Sequence, residues 1–262
     1  MPISVVTRSY RTSELRNLVS YLEQNNETEK EVIAVCNRND YDLHGIKLVL
    51  EGSNRFKARI TGIRNAQYDR ILLLDSDQVP EDGLLSELSN VNEDMVIVPE
   101  RSLSGSLTAE CLDDWRIKNE KLARMKTSPY MLVVPRFYKR EPLLDTISKL
   151  SNDIYNILSH EDSILYYEVF KSTHNIGFSR RYIYNKDPDF ITLLRKAYLY
   201  GKFKKSAEMS NAPSDIIYLL NKLNRNVLNI KELGLGKGYL VQIPRGILYE
   251  LGTIFPTKLI ST

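Results

Sequence analysis

Short apolar runs alternate with helix-like segments over the beginning of the chain. Leu15, Leu18 and Leu22 recur at helical spacing after the first apolar run, and residues 54–66 also have helical character. Helices that connect successive strands imply right-handed crossovers and a parallel sheet. The pattern therefore predicts an α/β fold that begins with a nucleotide-binding βαβ half. The runs that predict strands are residues 3–7, 31–36, 46–50 and 70–74.

The last of these runs predicts a central strand. Ile71 to Leu74 has no polar alternation and is too short for a buried helix, so both faces of the strand should be covered. Asp75 and Asp77 follow it, and residues two apart on an extended segment point the same way. Because open α/β sheets bind ligands beyond the carboxyl ends of their strands, this pair can hold Mg²⁺ or Mn²⁺ against a diphosphate. The alternative is a helix cap beside a solvated turn residue.

Length and composition fit one large α/β domain with an extension. The chain has 262 residues, of which 42% are apolar and 26% are charged. Cys36 and Cys111 lie far apart without metal-ligand spacing, which suits a reduced, intracellular protein. The sequence has no cleavable leader and no run of 18 apolar residues, so we expect a cytoplasmic protein without a spanning helix.

Positive charge is concentrated toward the carboxyl end. The formal net charge is +3, but residues 190–262 contain eleven Lys or Arg and four Asp or Glu. This segment therefore carries +7, and residues 1–189 carry −4. Such a segment suits a phosphate-rich surface, either lipid headgroups or nucleic acid. A solvated basic helical face is the alternative.

The basic segment also contains an amphipathic stripe. Ile243, Ile247, Leu251 and Phe255 recur at four-residue steps. The stripe can insert into a membrane interface at the cytoplasmic face, while the cations of residues 195–258 contact headgroups. The alternative is that it packs on the rest of the chain or on a second copy, which would make a homodimer.

Two segments in the middle of the chain predict further elements. Residues 107–125 predict an amphipathic helix, on which Trp115 can either stack on a sugar ring or belong to the packing. Residues 131–137, which read Met-Leu-Val-Val-Pro-Arg-Phe, predict a strand.

Five groups of motifs occur in a characteristic order along residues 3–205. In this order they resemble the motifs of the family 2 glycosyltransferases of the GT-A fold. The motifs are Ser4-Val5-Val6-Thr7-Arg8-Ser9-Tyr10, Cys36-Asn37-Arg38-Asn39-Asp40 with Lys57-Ala58-Arg59-Ile60-Thr61-Gly62-Ile63, Asp75-Ser76-Asp77, His160-Glu161-Asp162 and Leu194-Arg195-Lys196-Ala197-Tyr198-Leu199-Tyr200-Gly201-Lys202.

The resemblance implies an α/β fold of GT-A type, with a mostly parallel sheet flanked by helices. The glycosyltransferase domain would cover residues 1–205. Its donor and metal half would be residues 1–99, and its acceptor half residues 100–205. Residues 206–262 would form a basic, amphipathic helical extension.

The resemblance also implies a set of functional residues. Asp162 would be the general base, supported by Glu161. Asp77 and Asp75 would hold Mn²⁺ or Mg²⁺, with Asn185 as an additional candidate ligand. The donor nucleotide would contact Thr7, Arg8, Tyr10, Asn37, Asp40, Arg59 and Asp75.

Some residues depart from the family pattern. Relatives carry an Asp that reads the nucleotide base where Cys36 or Asn37 stands here, which leaves the identity of the base open. Many relatives have a His near Asn185, where an amide oxygen binds a hard cation less strongly. The Gln-x-x-Arg-Trp signature of processive enzymes is absent, so one addition per encounter is expected. From the residues alone, residues 160–162 indicate a helix start, because acidic residues favour the first turn of a helix.

The resemblance implies a metal-dependent transfer of one sugar, with inversion, from a nucleotide-diphosphate sugar to a hydroxyl. A UDP-sugar is the favoured donor and a glycan or polyprenyl-linked acceptor is expected, without nucleic acid. One alternative is a haloacid dehalogenase-like phosphatase that uses Asp75 and Asp77, although no Gly-Asp pair of that family occurs. Another is a non-catalytic, nucleotide-binding scaffold of GT-A type.

Overall fold

The computed structural model describes the chain in several stretches, which are residues 1–9, 11–24, 28–37, 45–52, 54–209, 212–227, 234 and 236–254. The elements in chain order are β1 (Ile3–Ser9), α1 (Thr12–Gln24), β2 (Lys30–Cys36), β3 (Lys47–Leu50), α2 (Arg55–Arg64), β4 (Arg70–Asp75), β5 (Gln78–Pro80), α3 (Leu84–Leu88), β6 (Met95–Ile97), β7 (Glu100–Ser102), α4 (Leu107–Met125), β8 (Phe137–Lys139), α5 (Arg140–Ser148), a 3₁₀ helix (Asn152–Asn156), α6 (Glu161–Phe170), β9 (Ile176–Phe178), β10 (Ile183–Asn185), α7 (Phe190–Met209), α8 (Ser214–Val227) and α9 (Tyr239–Ile254).

The chain divides into two compact units. We call the first the sheet unit, and it comprises residues 1–101, 134–150 and 168–185. We call the second the helical unit, and it comprises residues 102–133, 151–167 and 186–262. The two units interleave along the sequence, whereas the domains expected from the resemblance are consecutive. Those domain boundaries stay predictions.

A seven-stranded sheet in the order β3-β2-β1-β4-β8-β6-β9 is the centre of the sheet unit. The strands β3, β2, β1 and β4 are parallel, and β9 is parallel to β6. Only β8 is antiparallel to its neighbours β4 and β6. The predicted α/β fold with a mostly parallel sheet flanked by helices is confirmed. A second sheet has the order β5-β10-β7.

The strand that was predicted to be central lies inside this sheet. Ile71 to Leu74 are at most 1% exposed, because β1 and β8 flank β4 and helices cover the sheet. The helix α2 approaches the sheet closely at Gly62, where a Cβ atom would lie 2.4 Å from the Cγ1 atom of Val6. This close approach carries Arg59, three residues earlier on α2, to the buried side of the helix.

The helices α4, α7, α8 and α9 belong to the helical unit. Cys111, Leu112, Leu193 and Val241 form a small apolar core between α4, α7 and α9. Two glycines let α7 and α9 meet backbone to backbone. A Cβ atom on Gly201 would lie 2.0 Å from the Tyr249 carbonyl oxygen, and one on Gly252 would lie 2.1 Å from the Tyr198 carbonyl oxygen. Neither glycine can therefore gain a side chain unless the helices separate.

One face of α9 is apolar and solvent-exposed. Leu240, Ile247 and Ile254 are 64%, 58% and 63% exposed, and Ile243 and Leu251 lie on the same face. The amphipathic stripe predicted for this segment is thus present, except that Phe255 lies outside the described residues. No helix in the described stretches is long and apolar enough to span a bilayer.

The strand predicted for residues 131–137 is wrong in its extent. The observed strand β8 begins at Phe137, and residues 131–136 are not in a strand. The apolar run belongs to both units: the helical unit includes it up to Val133, and the sheet unit includes it from residue 134. Pro135 also lacks the N–H group that a central strand requires. Residues 131–133 are therefore apolar because they belong to the helical unit, and not because they extend a strand.

Candidate active site

The carboxyl ends of β1 and β4 bring two predicted site residues together. Arg8 lies opposite Asp75 in the parallel register of these strands, and its Nη2 atom is 3.8 Å from Asp75 Oδ1. Arg59, on α2, donates from Nη2 to the same oxygen at 3.1 Å. Asp75 thus lies within ion-pair distance of both arginines that were predicted to bind the donor.

Arginines control the charge of Asp75. Burial alone would raise its pKa, but the guanidinium groups of Arg59, Arg136, Arg55 and Arg8 hold the pKa well below its usual value. Asp75 is therefore ionised at any physiological pH. Because Arg59 is only 1% exposed, this pairing is an internal one and not a surface ion pair.

Sequence reasoning did not find Arg136. Its Nη1 atom is 3.9 Å from Asp75 Oδ2, and its Nε atom donates to Glu100 Oε1 at 2.9 Å. Its carbonyl accepts from the Leu73 N–H at 2.7 Å, directly before the antiparallel strand β8 begins. Arg136 reaches Asp75 because β8 pairs with β4 in the sheet, and no local sequence pattern predicts such a pairing.

A chain of side-chain amides extends from Asp75 to Asn185. The Asp75 N–H donates to Gln78 Oε1 at 2.9 Å, and Gln78 Nε2 donates to Asn185 Oδ1 at 2.8 Å. Asn185 Nδ2 in turn donates to Glu100 Oε2 at 3.0 Å. The structure therefore brings Asn185 into the same network as Asp75, with its amide oxygen already accepting one hydrogen bond.

Other predicted donor contacts lie in the same unit. Thr7 is fully buried on β1, and within the described stretches its hydroxyl has no hydrogen-bond partner. Asn37 is exposed directly after β2. Tyr10 and Asp40 lie outside the described residues.

Asp77 is the remaining candidate metal ligand. It is half-buried in the turn between β4 and β5. In the part of the chain that the structure describes, no three His, Cys, Asp or Glu side chains are grouped so that they could hold a metal ion. This donor set fits Mg²⁺ or Mn²⁺ bound in the way common for nucleotide sites, by one or two carboxylates together with substrate phosphates. It does not fit a cage made of protein side chains alone.

The predicted base belongs to the helical unit. Glu161 and Asp162 are in the first turn of α6, where the helix dipole favours ionised carboxylates. Glu161 is buried and Asp162 is half-buried. His160, just before the helix, has a φ of 61°, which is unusual for a residue with a side chain. Residues 160–162 therefore form a helix start, as the alternative expected. A helix start is compatible with a role for Asp162 in proton transfer.

Comparison with known proteins supports the fold. No protein-family model matches the chain. A search of curated protein sequences finds no match either. Among solved structures, residues 1–349 of TarS from S. aureus align with a TM-score of 0.56 and 16% identity over 96% of this chain and 81% of that chain. The same part of TarS in complex with UDP-GlcNAc aligns with a TM-score of 0.54 and 18% identity, over 92% of this chain and 78% of that chain.

A third similar structure is the mannosyltransferase PcManGT from Pyrobaculum calidifontis in complex with GDP-Man and Mn²⁺. It aligns with a TM-score of 0.61 and 13% identity, over 96% of this chain and 86% of that chain. The chain therefore has the GT-A glycosyltransferase fold, and the fold expected from the resemblance is confirmed.

Proposed function

We propose that this protein transfers one sugar from a nucleotide-diphosphate sugar to a hydroxyl group of an acceptor. The observation that carries the proposal is the ionised Asp75 among buried arginines, at the strand ends where an open α/β sheet binds ligands. The GT-A fold and the nucleotide-sugar complexes of TarS and PcManGT support it. A UDP-sugar is the favoured donor: TarS is in complex with UDP-GlcNAc, although PcManGT is in complex with GDP-Man.

The arginines supply the donor site. Arg8, Arg59 and Arg136 present N–H groups that can bind diphosphate oxygens, and Asp75 fixes their orientation through its carboxylate. Buried guanidinium groups act on a diphosphate more strongly than they would in water. A divalent ion held by Asp77, with Asp75 or Asn185, would offset the charge of the leaving nucleoside diphosphate.

The transfer itself needs one base. The acceptor oxygen attacks the anomeric carbon, the bond from that carbon to the diphosphate oxygen breaks, and the acceptor proton passes to Asp162. A single displacement of this kind inverts the anomeric carbon. Glu161, buried beside it in the first turn of α6, would orient the helix start that carries the base.

The phosphatase alternative loses its support. Its nucleophile would be Asp75, which is engaged by Arg59 at 3.1 Å and surrounded by further guanidinium groups. The GT-A fold also accounts for the position of Asp75-Ser76-Asp77 on the fourth strand.

We also propose that α9 contacts an anionic membrane surface. Its exposed face carries Ile243, Ile247 and Leu251, while the segment around it has a net charge of +7. Apolar insertion and headgroup attraction would then act together, at the cytoplasmic face and next to a lipid-linked acceptor. A homodimer through the same face would be the other outcome.

A thermal-shift panel tests the donor proposal. The unfolding temperature would be measured with UDP, GDP and CDP sugars, with and without Mn²⁺ or Mg²⁺. Binding of one nucleotide class at 100 times its Kd should stabilise the protein by about 2.7 kcal/mol. The shift should need the metal and disappear in Asp77→Ala. Metal-independent binding would refute the metal site, and no shift with any donor would refute the transferase. A shift without donor turnover would favour the scaffold.

A further inference from the structure

A partly open cavity lies within the helical unit, to which all of its lining residues belong. Its volume is about 210 Å³, and α4, α6, α7, α8 and α9 contribute to its wall. Sites for drug-sized ligands usually have volumes of roughly 300–1,000 Å³. The cavity is therefore sized for a single ring with one substituent, and not for a nucleotide sugar.

A cation without a matching anion lies in the wall of this cavity. Arg245, on α9, donates from Nη1 to Gln242 Oε1 at 3.1 Å. Within the described residues its Nε atom has no hydrogen-bond partner, and no carboxylate lies within ion-pair distance of it. Asp187 acts on Arg245 only from farther away, because its carboxylate is bound to Arg116 at 2.6 Å. Desolvation lowers the pKa of Arg245, as expected for a cation withdrawn from water.

A second donor of the same helix faces the cavity. Gln242 is 1% exposed, and within the described stretches its Nε2 atom has no hydrogen-bond partner. Residues three apart on a helix are neighbours, so Gln242 and Arg245 present N–H groups side by side. Buried donors that lack an acceptor are costly, and two adjacent ones indicate a place where an acceptor binds.

Aromatic rings form another part of the wall. The rings of His160 and Tyr200 have centroids 6.0 Å apart, and Trp115 of α4 also lines the cavity. Aromatic faces bind the C–H faces of a sugar ring, while charged donors bind its substituents. His160 and Ser163 line the cavity on either side of Asp162 in the chain.

We infer that this cavity binds a sugar ring that carries an anionic substituent, phosphate or carboxylate. The anion would accept from Arg245 and Gln242, and the ring would lie against Trp115, His160 and Tyr200. The inference rests on the proposed transfer, for which it names the acceptor class: the acceptor is negatively charged close to the hydroxyl that loses its proton. An acceptor of this kind would also turn an unpaired charge into a paired one on binding.

Trp115 is the single tryptophan of the chain, so its fluorescence reports on this cavity. The titration would use glucose 6-phosphate, glucuronate, glucose and inorganic phosphate as probes. We expect saturable changes in Trp115 fluorescence with a charged sugar. Glucose should bind with an affinity lower by roughly tenfold or more, because it lacks the charge-assisted hydrogen bond. Comparison of the phosphate, the carboxylate and inorganic phosphate identifies which group the site prefers.

Two variants make the result specific. Arg245→Gln should lower the affinity for the charged sugar by roughly tenfold or more. Without ligand its unfolding temperature should equal or exceed that of the wild type, because a half-buried cation without an ion-pair partner is removed. Lys121→Gln removes an exposed charge from α4 and should change neither property. Equal responses in Arg245→Gln and the wild type, or no response of Trp115 to any probe, would overturn the inference.

Nucleotide binding separates this inference from the proposed function. Calorimetric titration of UDP, GDP and CDP into Arg245→Gln should give the wild-type result, since the donor arginines belong to the sheet unit. If a nucleotide binds but no charged sugar perturbs Trp115, the acceptor inference alone fails. If no nucleotide binds to either protein, the proposed transferase fails regardless of the cavity.

Discussion

Replacing Asp75 by Asn tests whether the arginine cluster is held together by one carboxylate. The change keeps the shape of the side chain and removes its negative charge from beside Arg59, which is 1% exposed. Removal of one partner of a buried ion pair costs about 3–5 kcal/mol. We expect about 3 kcal/mol, at the lower end, because the Asn oxygen can still accept from Arg59. For a chain of this size such a loss lowers Tm by about 6–12 °C.

The pH dependence gives a second signature of the same pairing. The folded-state pKa of Asp75 is held below its unfolded value, so its stabilisation is complete above the unfolded pKa and is lost as pH falls toward the folded one. The stability difference between wild type and Asp75→Asn should therefore be constant from about pH 8 to 5 and shrink below about pH 4.

Thermal unfolding followed by circular dichroism at several pH values measures both effects. Asp145→Asn is the matched control, because the pair of Asp145 with Lys149 is exposed and worth about 0–1 kcal/mol. A loss in Asp75→Asn no larger than that of the control would refute the internal pairing. So would a stability difference that grew as the pH was lowered.

Three further changes test other parts of the structure. Gly252→Ala places a Cβ atom 2.1 Å from the Tyr198 carbonyl oxygen and should cost about 1–3 kcal/mol, whereas Gly105→Ala, which has open space around it, should be neutral in the same denaturation experiment. Asp162→Asn should reduce sugar transfer by about 10²–10⁴-fold and leave nucleotide binding in calorimetry unchanged, so weakened nucleotide binding would argue against a base. Ile247→Glu should reduce sedimentation with anionic vesicles roughly tenfold or more, whereas Leu103→Glu, at another exposed site of the helical unit, should not; a change in oligomeric state instead would favour the homodimer.

The strands β2 and β4 were predictable because most of their residues are apolar and buried on both faces. Ile71 to Leu74 has no polar position, and a short run of this kind fits only a strand covered on both sides. Helix α4 begins and ends at the residues predicted for it, because its pattern is amphipathic throughout. The strand at residues 131–137 was not predictable, because burial in a second compact unit produces the same apolar run as burial in a sheet.

The site was predictable only where its parts are local in sequence. Asp75 was found from its position after a buried strand, and Arg8 and Arg59 from the order of motifs. Arg136, which is 61 residues after Asp75, reaches it because the antiparallel strand β8 pairs with β4, and no spacing rule predicts that pairing. The sequence likewise did not decide which apolar face of α9 is exposed. Val241 and Tyr249, on the opposite face, are also apolar, and they pack inside the helical unit.

The most direct test of the proposed transfer is the release of nucleoside diphosphate from a sugar donor, followed by ³¹P NMR. We predict that one class of UDP, GDP or CDP sugar yields its nucleoside diphosphate, slowly with water and faster with an acceptor. The reaction should require Mn²⁺ or Mg²⁺ and be lost in Asp77→Ala and Asp162→Asn. Release of inorganic phosphate from phosphate esters, or no turnover of any nucleotide sugar that binds, would contradict the account.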